Sequence, residues 1–132
     1  MVIDKELIDH LFEQAVENPR KRVNYDMRTS PEDGSQRMLN AMLPGTEVAI
    51  HRHPNSNENV ILITGKMYEI LYEVKDGQLV ETERLYLCPA EGKYGCHVPK
   101  GVWHTVEVIE PSVIYEAKDG KYGDDGSETC EG

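Results

Sequence analysis

The feature that most constrains the fold is a series of short apolar segments, separated by turn-forming residues and preceded by one helical segment. The predicted strands cover residues 36–42, 48–53, 60–63, 67–74, 79–87, 96–98, 105–109 and 113–117. Asp76-Gly77 lies between two of them, and Asp-Gly between apolar runs is a strong hairpin signal. Closely spaced short strands with a single helix predict an all-β barrel or sandwich.

The first segment has the apolar periodicity of an amphipathic helix. Apolar residues recur at three- and four-residue steps between Val2 and Val16. Asp4 is placed to cap this helix, and Pro19 is placed to end it. We therefore predict a helical extension over residues 1–22 that packs outside the barrel. The barrel itself is predicted over residues 23–122, and a loosely ordered acidic tail over residues 123–132.

Charge and composition exclude several classes of function. The formal net charge of −10 makes nucleic acid and anionic membranes poor partners. No apolar run approaches the ~20 residues that cross a bilayer, and the N-terminus does not resemble a secretion signal. The three cysteines form no CxxC pair, which favours a reducing cytoplasm over a disulfide framework.

Histidines at alternate positions indicate a metal site. Side chains alternate between the two faces of a strand, so His51 and His53 share one face and Arg52 takes the other. The loop that follows can return Glu58 beside them. Glu58 begins an apolar strand, which is unusual for a carboxylate that is neither paired nor ligating.

His104 follows a Pro-Gly turn at the head of a later strand and completes the predicted set. Three imidazoles and a carboxylate suit one divalent transition metal: Zn²⁺, Fe²⁺, Mn²⁺, Ni²⁺ or Co²⁺. Such a set leaves open coordination positions, as in catalytic sites. Each residue also has an ordinary interpretation: the histidine pair as surface polar residues, Glu58 as a capping carboxylate, and His104 as a hydrogen-bonded core histidine.

These residues match two motifs of a known superfamily. Residues 45–65 fit the pattern GxxxxxHxHxxxxExxxxxxG, and residues 99–104 fit PxGxxH. In both respects the chain resembles the cupin superfamily, which implies a double-stranded β-helix and a metal held by His51, His53, Glu58 and His104. The second motif departs from the pattern at Lys93 and Val108, where glycine and asparagine are usual. Neither departure removes a ligand.

Further motifs extend the resemblance to one branch of the cupins. They are Asn18-Pro19-Arg20, Gln36-Arg37-Met38-Leu39-Asn40, Pro44-Gly45-Thr46, Gly101-Val102-Trp103-His104 and the segment from Glu116 to Tyr122. Together they are similar to the WbuC-type cupin-fold metalloproteins, which are often associated with surface-polysaccharide gene clusters. The resemblance implies substrate-facing roles among Gln36, Arg37 and Asn40. Strand alternation puts Arg37 on the opposite face from the other two, so not all three can line one cavity. Family analogy also implies a homodimer.

Several functions are compatible with an open metal site. One is Lewis-acid isomerisation or epimerisation of a sugar or sugar nucleotide, with Tyr68, Tyr115 or Glu116 as candidate general bases. The acidic net charge disfavours an anionic substrate unless cations such as Arg37, Arg52 or Lys100 offset it locally. An iron-dependent dioxygenase would use the same ligand set. A module that binds or senses a small molecule without catalysis, and a purely structural metal, are the remaining hypotheses.

Overall fold

The computed structural model describes residues 1–121 and 126–130. Helix α1 spans Lys5–Glu17. The strands within the described ranges are β1 (Arg22–Asp26), β2 (Ser35–Met42), β3 (His51–Arg52), β4 (Glu58–Lys75), β5 (Gln78–Leu87), β6 (Gly95–Val98), β7 (Trp103–Asp119) and β8 (Glu128–Thr129). A 3₁₀ turn at Pro89–Glu91 connects β5 to β6. The prediction of an all-β fold with an N-terminal helix is confirmed.

Helix α1 begins and ends where the sequence predicts. The Asp4 carboxylate accepts a hydrogen bond from the backbone N–H of Leu7 at 2.9 Å, which satisfies one of the free donors of the first turn. Leu11 and Ala15 are the buried residues of its inner face. None of the helices within the described ranges is long and apolar enough to cross a membrane.

The strands curl into one sheet whose long members are β4 and β7. These two pair antiparallel, and β7 also pairs with β2 and β3. The sequence predicts separate strands at 60–63 and 67–74, with a turn at Gly65 between them, but the structure has one continuous strand, β4. Gly65 has a φ of +112° and lies among register shifts in the pairing with β7. It therefore bends the strand as a bulge and does not reverse it.

Two apolar clusters within the described residues lie on opposite faces of this sheet. The barrel interior contains Met42, Val60, Leu62, Met67, Leu87, Val108 and Ile114. The outer cluster contains Leu11 of α1 with Leu39, Ala41 and Val113 of the sheet. Because alternate residues of β2 enter different clusters, its even-numbered positions face the barrel interior and its odd-numbered positions face the helix.

Strand β3, His51–Arg52, is shorter than the predicted strand 48–53. Its residues pair with β7 on one side and with β8 on the other. The Arg52 guanidinium forms a salt bridge to Glu128, with Nη2 2.7 Å from Oε2. Within the predicted loose tail, residues 123–125 and 131–132 lie outside the described residues, but Glu128–Thr129 pairs with β3. Without β8, the side of β3 away from β7 would be an open edge, and such an edge accepts another strand. The division into extension, barrel and tail stays a prediction.

Candidate metal centre

Strand pairing brings the three motif histidines together. His51 and His104 are register partners across β3 and β7, and their ring centroids are 4.2 Å apart. His53 follows on the same face, with its centroid 5.0 Å from that of His51 and 5.4 Å from that of His104. One ring nitrogen from each histidine lies within 4.8 Å of the others. The group is therefore compact enough to hold a single metal ion.

Hydrogen bonds at the outer nitrogens orient two of these rings. Nδ1 of His51 lies 2.8 Å from the carbonyl oxygen of Ala49, and Nδ1 of His104 lies 2.9 Å from that of Val102. A carbonyl oxygen only accepts, so each Nδ1 carries the hydrogen and Nε2 of the neutral ring keeps its lone pair. This arrangement is typical of metal-ligating histidines, whose other nitrogen donates to a fixed acceptor. Nδ1 of His53 has a similar contact, 2.7 Å from the Ser127 hydroxyl oxygen.

Burial keeps His51 neutral. It lowers the pKa of His51 to about 4, and the neighbouring His104 contributes in the same direction. The imidazole is therefore uncharged near neutral pH, which is the form that ligates metals.

Glu58 adjoins the histidine group at the start of β4. Its Oε2 lies 3.2 Å from Nε2 of His104 and 3.4 Å from Nε2 of His53, and the side chain is 6% exposed. Burial alone would raise the pKa of Glu58, but hydrogen bonds with His104 and His53 outweigh it and hold that pKa well below its ordinary value. An ionised carboxylate thus faces Nε2 of His104. Because Nδ1 of His104 already donates to Val102, a hydrogen bond from Nε2 to Glu58 requires a second proton on the ring. A divalent metal between the two groups would take the place of that proton, so the donor set fits such a metal.

A cavity of about 250 Å³ opens beside this group. Its lining includes His51, Glu58 and His104 together with other polar and charged residues: Arg20, Arg22, Asn24, Asn40, Glu69, Glu116 and Lys118. Apolar lining comes from Met38, Met42, Val48, Val106 and Ile114. The volume suits a small ligand rather than a drug-sized one.

Two buried carboxyl groups in the cavity wall add to the chemistry of the site. Burial raises the pKa of Glu69 well above its ordinary value, and the nearby Glu58 charge raises it further. Glu116 is affected in the same way, by burial first and then by Glu58. The Asn40 amide donates a hydrogen bond to Oε1 of Glu116. Oε2 of Glu69 has no hydrogen-bond partner among the residues that the structure describes.

Replacing Glu69 by glutamine is expected to stabilise the metal-free protein at pH 7. The fold raises the pKa of Glu69 above the ordinary 4.5 expected in the unfolded chain, so the folded state binds this proton more tightly and stability falls as pH rises from 4.5 toward the raised pKa. Each pH unit of that interval removes about 1.4 kcal/mol of stability. Urea unfolding in EDTA should show Glu69→Gln to be more stable at pH 7, with the gain shrinking toward pH 4. The control is Glu73→Gln, an exposed carboxylate on the same strand. A gain that does not vary with pH would contradict this explanation.

The structure separates the three residues predicted to face a substrate. Asn40 lines the cavity. Arg37 is directed to Asp33 instead, with Nη2 2.6 Å from Oδ2. Gln36 is 1% exposed and lies outside the described cavity lining. Substrate binding by any of them stays a prediction.

The candidate general bases and cations, which the sequence left unplaced, occupy different parts of the fold. Tyr68 packs against Tyr86 outside the cavity, and Tyr115 packs in the outer cluster beside α1. Of the three proposed bases, Glu116 alone is in the described lining. Arg52 is held by Glu128 and lies over the Trp103 ring at 4.7 Å.

Sequence reasoning missed Glu69, Arg20, Arg22 and Lys118. A signal for Glu69 was available, because it alternates with buried Met67 and Leu71 on one face of β4, where a carboxylate is unusual. The arginines precede or begin β1, and no local pattern indicates that this segment meets the barrel mouth.

Solved structures of other proteins share the fold of this chain. TT1209 from Thermus thermophilus superposes with a TM-score of 0.64 at 19% identity, over 90% of this chain and 96% of its own. The capsular polysaccharide assembling protein CapF from Staphylococcus aureus gives 0.65 at 21%, over 87% of this chain and 33% of CapF. An oxalate oxidase gives 0.62 at 13%, over 85% of this chain and 56% of the oxidase. The chain thus spans about half the length of the oxidase and a third of CapF. These are cupin-fold proteins, and the likeness shows that this chain has the cupin fold.

One family model matches the chain. It matches residues 3–85 and is described as a domain of unknown function, DUF6016. The chain belongs to this family. No curated protein matches the chain.

Proposed function

We propose that this protein is a metal-dependent enzyme that isomerises or epimerises a small oxygenated substrate such as a sugar. In this proposal one divalent transition metal is held by His51, His53, His104 and Glu58. One observation carries it: the inner nitrogens of oriented histidines converge with a carboxylate at the wall of a cavity of ligand size. A closed structural site would have no need of that cavity.

The chemistry divides between the metal and the surrounding side chains. A bound divalent metal supplies Lewis acidity that polarises an oxygen of the substrate. Glu69 faces the same cavity with Oε2 free of hydrogen bonds among the described residues, so it is placed to give or take a substrate proton. The Asn40 amide on β2 donates a hydrogen bond to Glu116 on the neighbouring strand β7 and so holds that carboxyl group in position. Both carboxyl groups are buried, so little water surrounds them where they would meet the substrate.

We also propose that the protein is of the WbuC type and acts in surface-polysaccharide metabolism. The motifs described above support the first part. The likeness to CapF, described as a capsular polysaccharide assembling protein, is consistent with the second. Family analogy supports a homodimer, and the free thiols of Cys88, Cys96 and Cys130 are consistent with a cytoplasmic location. Strands β1 and β5 each pair on one side within the described residues and leave an edge where a second copy can add.

Metal analysis followed by isotope exchange tests the proposed function. Protein purified without a chelating tag should contain about one equivalent of zinc, manganese, nickel or cobalt by mass spectrometry. In deuterium oxide, a panel of free sugars, sugar phosphates and UDP-, GDP- and dTDP-sugars should then contain a member that gains deuterium at carbon. Glu69→Gln should retain the metal and lose the exchange, which separates proton transfer from metal binding.

Other results would replace this proposal. One equivalent of iron with oxygen consumption would indicate the dioxygenase. Saturable sugar binding without turnover would indicate a binding or sensing module. Protein that neither contains nor takes up a metal would contradict the proposal entirely.

A further inference from the structure

The arginines of this chain differ in whether a carboxylate neutralises them. The sequence contains six. Four of them form salt bridges among the described residues: Arg28 to Asp26, Arg37 to Asp33, Arg52 to Glu128, and Arg84 to Glu81 and Glu107. Arg20 and Arg22 have no carboxylate partner in the described residues, and both line the cavity beside the histidines. In a chain with 24 acidic residues, two unpaired arginines at one opening call for an explanation.

Neutral groups hold Arg22 in place. Its Nη1 donates to the backbone carbonyl of Glu47 at 2.7 Å and to the Thr46 hydroxyl at 3.3 Å. That hydroxyl donates in turn to the carbonyl oxygen of Arg20 at 2.7 Å, which links the backbone of Arg20 to the Arg22 guanidinium. The guanidinium is therefore positioned without its charge being cancelled.

The electrostatics of this pair favour an anion. Partial burial lowers the pKa of Arg22, and the charge of Arg20 lowers it further. Two like charges held close together are unfavourable unless an anion lies between them. Lys118 adds a third cationic side chain to the same lining, from the β7 position that pairs with Glu58.

We propose that Arg20 and Arg22 bind the oxyanion of a small anionic ligand, a phosphate or a carboxylate, at the mouth of the histidine-lined cavity. This inference rests on the proposed function. The arginines would bind the charged end of the substrate, and the uncharged part of the same molecule would face the metal centre. Guanidinium groups suit the role, since each presents parallel N–H donors to two oxygens of one anion. Because the chain as a whole is negatively charged, this local positive opening determines which anions enter the cavity.

Titration of the zinc-loaded protein with two simple anions tests the proposal. Methyl phosphate and acetate each carry one methyl group and one oxyanion, so they distinguish a phosphate ligand from a carboxylate ligand. Amide shifts in ¹H–¹⁵N spectra at residues 20–24 should saturate with at least one of them. Arg20→Gln and Arg22→Gln should each weaken that binding by about tenfold or more. Arg84→Gln removes the same charge from an exposed salt bridge outside the cavity and should leave the affinity unchanged.

Zinc content measured on the same samples separates this inference from the proposed function. Zinc at one equivalent without saturable anion shifts would overturn the anion site and leave the metal site standing. Saturable shifts that persist undiminished in both arginine variants would also overturn it, since the anion would then be bound elsewhere. Arginine-dependent binding in protein that takes up no zinc would support the anion site and contradict the metal centre.

Discussion

His104→Ala is expected to lower metal affinity by at least about 100-fold, because it removes a ligand rather than an outer hydrogen-bond partner. His104 is the register partner of His51 and lies 3.2 Å from Glu58, so its ring touches the rest of the group. His53→Ala should have a similar effect. The measurement is metal content after dialysis against a weak chelator, followed by zinc titration with a competing indicator.

His97→Ala is the matched control for the histidine variants. His97 lies on β6 and is exposed, and its Nδ1 is 3.0 Å from Oδ1 of Asn59. It should keep the metal content of the unmodified protein. Circular dichroism should show that all three variants retain the sheet. Equal metal content in His53→Ala, His104→Ala and the control would show that the predicted ligands are wrong.

Gly65→Ala should destabilise the fold by about 3 kcal/mol or more, the largest stability effect that we expect of a single added methyl group. Gly65 has a φ of +112°, where side chains other than glycine are strained. A Cβ placed there would lie 2.3 Å from Oγ of Ser112 and 2.5 Å from the carbonyl oxygen of Pro111. The neighbouring backbone of β7 cannot move without breaking the pairing that carries the site. Urea unfolding measures the loss.

Gly77→Ala separates the clash from the backbone strain. Gly77 also has a positive φ, +77°, but a Cβ there would meet nothing within 4 Å. Its replacement should therefore cost about 1–2 kcal/mol, the strain alone. Similar losses of unfolding free energy in the two variants would mean that β7 moves at Ser112 to make room for the added methyl group. The bulge would then be more deformable than its packing indicates.

The hairpin at Asp76-Gly77 and the helix capped by Asp4 were predictable because local chemistry specifies them. Asp76 and Gly77 both have positive φ values, which an Asp-Gly dipeptide tolerates. The Asp4 cap joins two residues only three positions apart in the chain. The bulge at Gly65 was not predictable in the same way. A glycine between two apolar runs is compatible with a turn or a bend, and the pairing partner β7 decides which.

The same distinction applies to the candidate site. The shared face of His51 and His53 could be read from the chain alone, because strand periodicity is a local property of the backbone. The fold was needed to show that His104 is the partner of His51, that Glu69 reaches the cavity wall, and that Arg20 and Arg22 lie at its mouth. Those contacts join residues far apart in the chain. They depend on sheet register and curvature, which arise from many long-range pairings together and are recorded in no single segment of the sequence.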